Sequence, residues 1–173
     1  MNRDEHPVWS VYDKLRTARL NVKYYSRRLQ KIERWNFALD LVLLSTAPSS
    51  AIAGLWFWST PIGSIVWQYF GIIAAATAIV KPLLTLPKRI KEYESVLAGY
   101  RGLEYDLMEI RTIVEQKRKY DKTQQDEFRK AVRREKSLVT KSPDTRENSK
   151  VKEICEKEVL RELPPASFFV PED

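Results

Sequence analysis

The sequence predicts an all-α integral membrane protein: a two-helix hairpin in the bilayer that extends into a long antiparallel cytoplasmic helical stalk. Three features carry this expectation. Leu41 to Val80 is a run of 40 residues without a charge, in a chain of which 31% is charged. The segments on either side of that run repeat their apolar positions at helical spacing. Lys and Arg crowd both flanks of the run and are missing from its centre.

Residues 8–34 form the first element, a cytoplasmic amphipathic helix. Val8, Val11, Leu15, Ala18, Val22, Tyr25, Leu29 and Ile32 recur at alternating spacings of three and four, the seam of a coiled-coil-like helix. At 1.5 Å per residue it covers about 40 Å.

Residues 36–86 form the hairpin, with spans 36–58 and 62–86. About 20 mostly apolar residues cross the hydrocarbon core as a helix, so the run is too long for one span and suits two. Ser59-Thr60-Pro61 supplies the turn. A soluble core hairpin is disfavoured because the charged remainder offers too little apolar surface to bury two such helices. A cleaved signal peptide is disfavoured because the first apolar run starts near residue 36.

Residues 88–140 form the returning stalk helix. Ile90, Tyr93, Leu97, Tyr100, Leu103, Leu107, Ile110 and Val114 continue the seam, with one slip of spacing at Tyr100 flanked by Gly99 and Gly102. Such a stammer overwinds a coiled coil locally. Both helices are expected to run unbroken out of the membrane, the second for about 75 Å. Its overhang then needs a second subunit or the tail as partner. Residues 141–173 read as a flexible linker (KSPDTRENSK), a short helix to about Leu163 and a Pro/Phe tail. Phe168 and Phe169 suit docking on the chain's own helices or an extended contact with a partner.

Arg27, Arg28, Lys31 and Arg34 precede the first span, and Lys81, Lys88, Arg89 and Lys91 close or follow the second. Both termini are therefore expected in the cytoplasm of a cell bounded by this membrane. Trp56, Phe57 and Trp58 suit the far headgroup level and Trp35 the near one. A single cysteine, Cys155, excludes an intrachain disulfide and fits a reducing compartment. Net charge +7 is accounted for by anionic headgroups, so no nucleic-acid partner is expected.

Asp40 and Lys81 lie 20 and 21 residues from Thr60, hence at similar depth in the hairpin. An intramembrane charge is a functional candidate, and mutual pairing is the plain alternative. Ser45 and Ser49 share a face of the first span, beside Thr46 and Ser50 and near Pro48. Ser64, Gln68, Gly71 and Ala75 form a stripe on the second. Asp40, Ser45, Ser49, Ser64, Gln68 and Lys81 are the candidate pore or gate residues; small residues also serve close helix packing. Lys23, Tyr24, Arg27 and Arg28, with Tyr93, Tyr100 and Arg101, are candidates for a cyclic nucleotide, since Arg forks phosphate and bases stack on tyrosine.

Chemistry for catalysis is not visible. His6 is the only histidine, and neither a GxSxG nor a phosphate-cradling glycine loop occurs. A non-enzyme without cofactor or metal is expected.

YDKLRTARLNVKYYSRRLQKIERWN leads into the first span, and the second ends in KPLLTLPKRIKEYESVLAGYRGLEYDL. Over residues 8 to about 140 this resembles the SLATT family, two-transmembrane effector domains of bacterial nucleotide-second-messenger antiphage systems. The resemblance implies an effector that oligomerises and permeabilises the inner (cell) membrane under a cyclic nucleotide or a nucleotidyltransferase-linked sensor. Its partners would be the lipid bilayer and further copies of itself. The 173 residues carry no recognisable sensor domain, unlike fused family members. The alternative is a membrane-anchored helical scaffold that recruits a cytoplasmic partner. An anchor needs neither the polar stripe nor the Asp40–Lys81 pair.

Overall fold

The computed structural model describes residues 6–46 and 60–171, and all regular elements among them are helical, as the sequence predicts. In order they are α1 (Val8–Thr46), α2 (Pro61–Leu84), α3 (Leu86–Lys117), α4 (Lys122–Val139) and α5 (Ser149–Glu162), followed by a 3-10 turn, Pro165–Ser167. The expected turn with Trp56, Phe57 and Trp58, together with Pro48, Ser49 and Ser50, lies outside the described residues. Two compact units result, one comprising Met1–Leu29 with Glu92–Asp173, the other Gln30–Lys91.

The first unit is a helical bundle built on the two seams. Val8, Val11, Leu15 and Ala18 of α1 are all at most 1% exposed, and Tyr93, Leu97, Tyr100, Leu103, Leu107, Ile110 and Val114 of α3 are buried with them. His6 caps the start of α1: its Nδ1 accepts the Val8 N–H at 3.1 Å.

The returning helix does not run on to residue 140. α3 stops at Lys117, Arg118 takes a left-handed φ of 54°, and α4 starts after Asp121. Asp121 and Gln124 form a reciprocal capping box, the Asp121 side chain accepting from the Thr123 and Gln124 N–H groups and its own N–H donating to Gln124 Oε1. That local satisfaction of backbone donors makes a new helix start preferable to an exposed continuation. α4 then folds back along α3. Arg134 pairs with Asp106, and Leu138 packs so close to Gly99 that a Cβ there would overlap it. The glycine at the stammer therefore admits α4. The apolar overhang, expected to need a second subunit or the tail as partner, is covered within the chain, by α4 and by the tail.

The segment expected to be a flexible linker is also fixed in place. Tyr25 Oη lies 2.9 Å from Ser142 Oγ, and Asp144 is enclosed by side chains of α1 and α3. Composition favours disorder here, but one carboxylate with several fixed donors overrides it. The tail docks on the chain's own helices. Phe168 is 2% exposed, stacks on Tyr12 at 4.3 Å between ring centroids, and lies under the Arg16 and Arg111 guanidinium groups. The Tyr12 hydroxyl donates to the Phe169 carbonyl.

In the second unit, Thr60 caps α2 by accepting the Gly63 N–H at 3.1 Å, with Pro61 in the first turn. α2 does not continue unbroken into α3. Pro87 has no N–H to give the Leu83 carbonyl, so the hydrogen-bond ladder of α2 cannot carry on through it. Thr85 accordingly turns left-handed at φ 45°, and its carbonyl accepts from Lys88 and Arg89 to begin α3.

Candidate functional site

Two constellations stand out, one in each unit. In the first unit, α1 places Arg19, Lys23 and Arg27 at four-residue spacing on one face, with Arg28 beside them. Carboxylates of the C-terminal segment meet them. Arg19 reaches Glu162 at 3.1 Å and Glu104 of α3 at 2.8 Å. Lys23 reaches Glu162 at 2.7 Å and Glu158 at 3.3 Å, and Arg27 pairs with Glu158.

Asp144 stands at one end of this row and is its most enclosed carboxylate, its side chain only 5% exposed. Arg28 holds both its oxygens, Nη2 to Oδ1 at 2.9 Å and Nε to Oδ2 at 3.3 Å. Tyr24 donates to Oδ2 at 2.9 Å, and Tyr93 donates to Oδ1. The Tyr24 oxygen in turn accepts the Asn148 N–H at 3.1 Å, and Asn148 caps α5. One carboxylate thus ties α1 and α3 to the start of α5. Burial would raise the Asp144 carboxyl, but donation from Arg28, Tyr93 and Tyr24 outweighs it and holds the group below its ordinary 3.8. The hydrogen bond to Asp144 also raises the Arg28 guanidinium further.

Of the residues expected to bind a nucleotide, Lys23, Tyr24, Arg27, Arg28 and Tyr93 come together here. Tyr100 stands in a stack with Tyr25, 5.5 Å between centroids, and Arg101 is exposed. The cations already have carboxylate partners in the chain. Asp144, Glu158 and Glu162 were not legible in sequence as members of the site, because Asp144 falls in the expected linker and the expected short helix that carries Glu158 and Glu162 does not declare which helix it faces. Only their sign, opposite to that of the α1 face, pointed to them.

Burial pushes the phenols of Tyr12, Tyr93 and Tyr100 up to about 12, with negative neighbours adding to the rise. Folding therefore favours their protonated form. That contribution is complete below the ordinary value of 10 and is lost as pH rises towards 12. Between those limits stability should fall by about 1.4 kcal/mol per pH unit for each tyrosine. Urea unfolding followed across that range, with tyrosinate absorbance recorded in parallel, checks this. A flat profile would remove the buried phenols from the core account.

In the second unit, Asp40 and Lys81 do pair. Asn36, one turn before Asp40, donates from Nδ2 to Asp40 Oδ2 at 3.0 Å, while its own buried Oδ1 has no hydrogen-bond partner among the described residues. Gly63, Val66, Ala74, Thr77 and Lys81 form the less exposed face of α2, whereas Gln68, Gly71 and Ala75 are exposed. At about 100° per residue the two faces lie roughly a third of a turn apart. A Cβ at Gly71 would meet nothing within 4 Å, so this part of the stripe is not used to pack the unit. Ser49 and the side chains of Ser45 and Ser64 lie outside the described residues.

No family model matches the chain, and comparison with curated proteins and with solved structures finds no relative.

Proposed function

We propose that this protein is a membrane effector that oligomerises through its hairpin and permeabilises the inner membrane of a bacterial cell. The observation that carries the reading is α2. It is 24 residues long, apolar enough to cross a bilayer, and only 12% of its most apolar stretch is buried. A core helix of a soluble protein would be covered. Here Ile62, Ile65, Ile72, Ile73, Ile79 and Leu83 are all more than half exposed. Such a surface calls for lipid or a further copy of the same helix. The uncharged run on the α1 side, the cationic flanks and the Asp40–Lys81 pair fit a hairpin with both ends in the cytoplasm. The exposed Gln68–Gly71–Ala75 stripe supports a lumen or helix–helix contact over a plain anchor. The SLATT resemblance supports a role in antiphage defence under a nucleotide signal or a partner sensor.

Induced expression should depolarise bacterial cells and admit propidium. Ser64→Leu with Gln68→Leu should reduce dye entry to background while the protein remains in the membrane fraction. Wild-type protein found in the membrane fraction of cells that stay polarised and exclude the dye would instead leave the hairpin as an anchor and favour a recruiting scaffold; full permeabilisation by the inserted variant would remove Ser64 and Gln68 from the lumen.

A further inference from the structure

We propose that the C-terminal segment from Asp144 to Glu162 is a releasable clasp over a phosphate-binding face of α1, and that phosphate oxygens compete with its carboxylates for the same cations. The contacts run in antiparallel register: Arg19 and Lys23 meet Glu162, Lys23 and Arg27 meet Glu158, and Arg28 meets Asp144. Guanidinium forks bind carboxylate and phosphate by the same two-point geometry, and a phosphate brings more charge and more acceptors. Tyr24 adds a phenol donor at one end of the row. The clasp carboxylates thus occupy the positions that phosphate oxygens would take.

The clasp is held mostly by contacts that water and ions can reach. Glu158 and Glu162 are 34% and 40% exposed, so each pair is weak and screened by salt. Of the α5 side chains only Cys155 and Val159 are buried, while Ile154 and Leu160 are about half exposed. A cavity of about 270 Å³ remains between α1 and α5, bounded by Arg16, Leu20, Val159 and Leu160. A helix with few buried apolar contacts and many exposed polar ones belongs to the part of a fold that opens first. That release triggers permeabilisation rests on the function proposed above; the clasp itself does not.

Cys155, the only cysteine, lies on the buried face of α5 and reports release by its reactivity to maleimide. The test measures labelling of the intact protein in phosphatidylcholine nanodiscs. The probes are ATP and cyclic dinucleotides, each against sodium chloride of equal ionic strength, and separately nanodiscs containing phosphatidylglycerol. Glu158→Gln with Glu162→Gln removes four ion pairs and should speed labelling about tenfold without any phosphate, equivalent to about 1.4 kcal/mol. At least one phosphate source should speed the wild type similarly beyond chloride. Lys23→Gln with Arg27→Gln should label fast and lose that response. Acceleration by soluble probes assigns the face to nucleotide phosphate, and acceleration by phosphatidylglycerol alone assigns it to lipid headgroups. Equal rates in phosphate and matched chloride, or wild-type labelling of the Glu158/Glu162 variant, would overturn the clasp. Phosphate-dependent labelling without any dye entry would keep the clasp and overturn the permeabilisation reading.

Discussion

Changing Leu103, Leu107 and Ile110 together to Asp is expected to unfold the first unit rather than to split an assembly. These side chains are 2%, 1% and 3% exposed. Each change forfeits about 1.5–3 kcal/mol of apolar burial and places a carboxylate where desolvation costs several kcal/mol more. Three such losses exceed the whole stability of a typical domain, about 5–15 kcal/mol. Circular dichroism of the detergent-solubilised protein should show no cooperative transition for this unit, and Cys155 should label at the denatured rate. A wild-type melt with a smaller oligomer would contradict the fold described here and return the seam to an intersubunit role.

That expectation differs from the one the sequence alone suggests, and the difference turns on a few residues. The two seams were legible because period-3.5 apolar spacing is the direct imprint of helix packing. Tyr93, Leu103, Leu107 and Val114 all lie where that spacing puts them. The partner of the seam was not legible. Asp121 and Gln124 carry the D-x-x-Q signature of a helix start, but no glycine or proline marks the break before them, and Arg118 bears the left-handed turn instead. Asp144 was harder still. Its role comes from residues 51, 116 and 120 positions earlier in the sequence, and local composition says only that the segment is polar. The cationic face of α1 was visible as charge, and its occupation by the chain's own acids was not.

The second large effect concerns that carboxylate. Asp144→Ala should destabilise the first unit by about 3 kcal/mol or more, since it strands a cation and two phenols that share one acceptor. Partial exposure of Arg28, 24%, lets water recover some of this, while the Tyr93 hydroxyl on a wholly buried side chain cannot be served so easily. Asp144→Asn keeps one acceptor oxygen and should lose less. Linkage adds a pH signature. Because Asp144 titrates below 3.8 in the fold, its contribution is present above that value and fades as pH falls through the folded-state value. Wild type and Asp144→Ala should therefore converge in stability at strongly acid pH. Urea unfolding of both proteins at neutral and acid pH measures this, and a difference under about 0.5 kcal/mol at neutral pH, the scale of an ordinary surface change, would deny Asp144 its role.

The membrane reading is tested most directly by reconstituting the purified, full-length protein into sealed liposomes and following release of a trapped dye. The account predicts that protein resistant to carbonate extraction releases the dye, and that the Ser64→Leu, Gln68→Leu protein inserts equally and leaves the vesicles tight. Vesicles that stay tight around inserted, folded wild-type protein, with and without added cyclic nucleotides and anionic lipid, would contradict it.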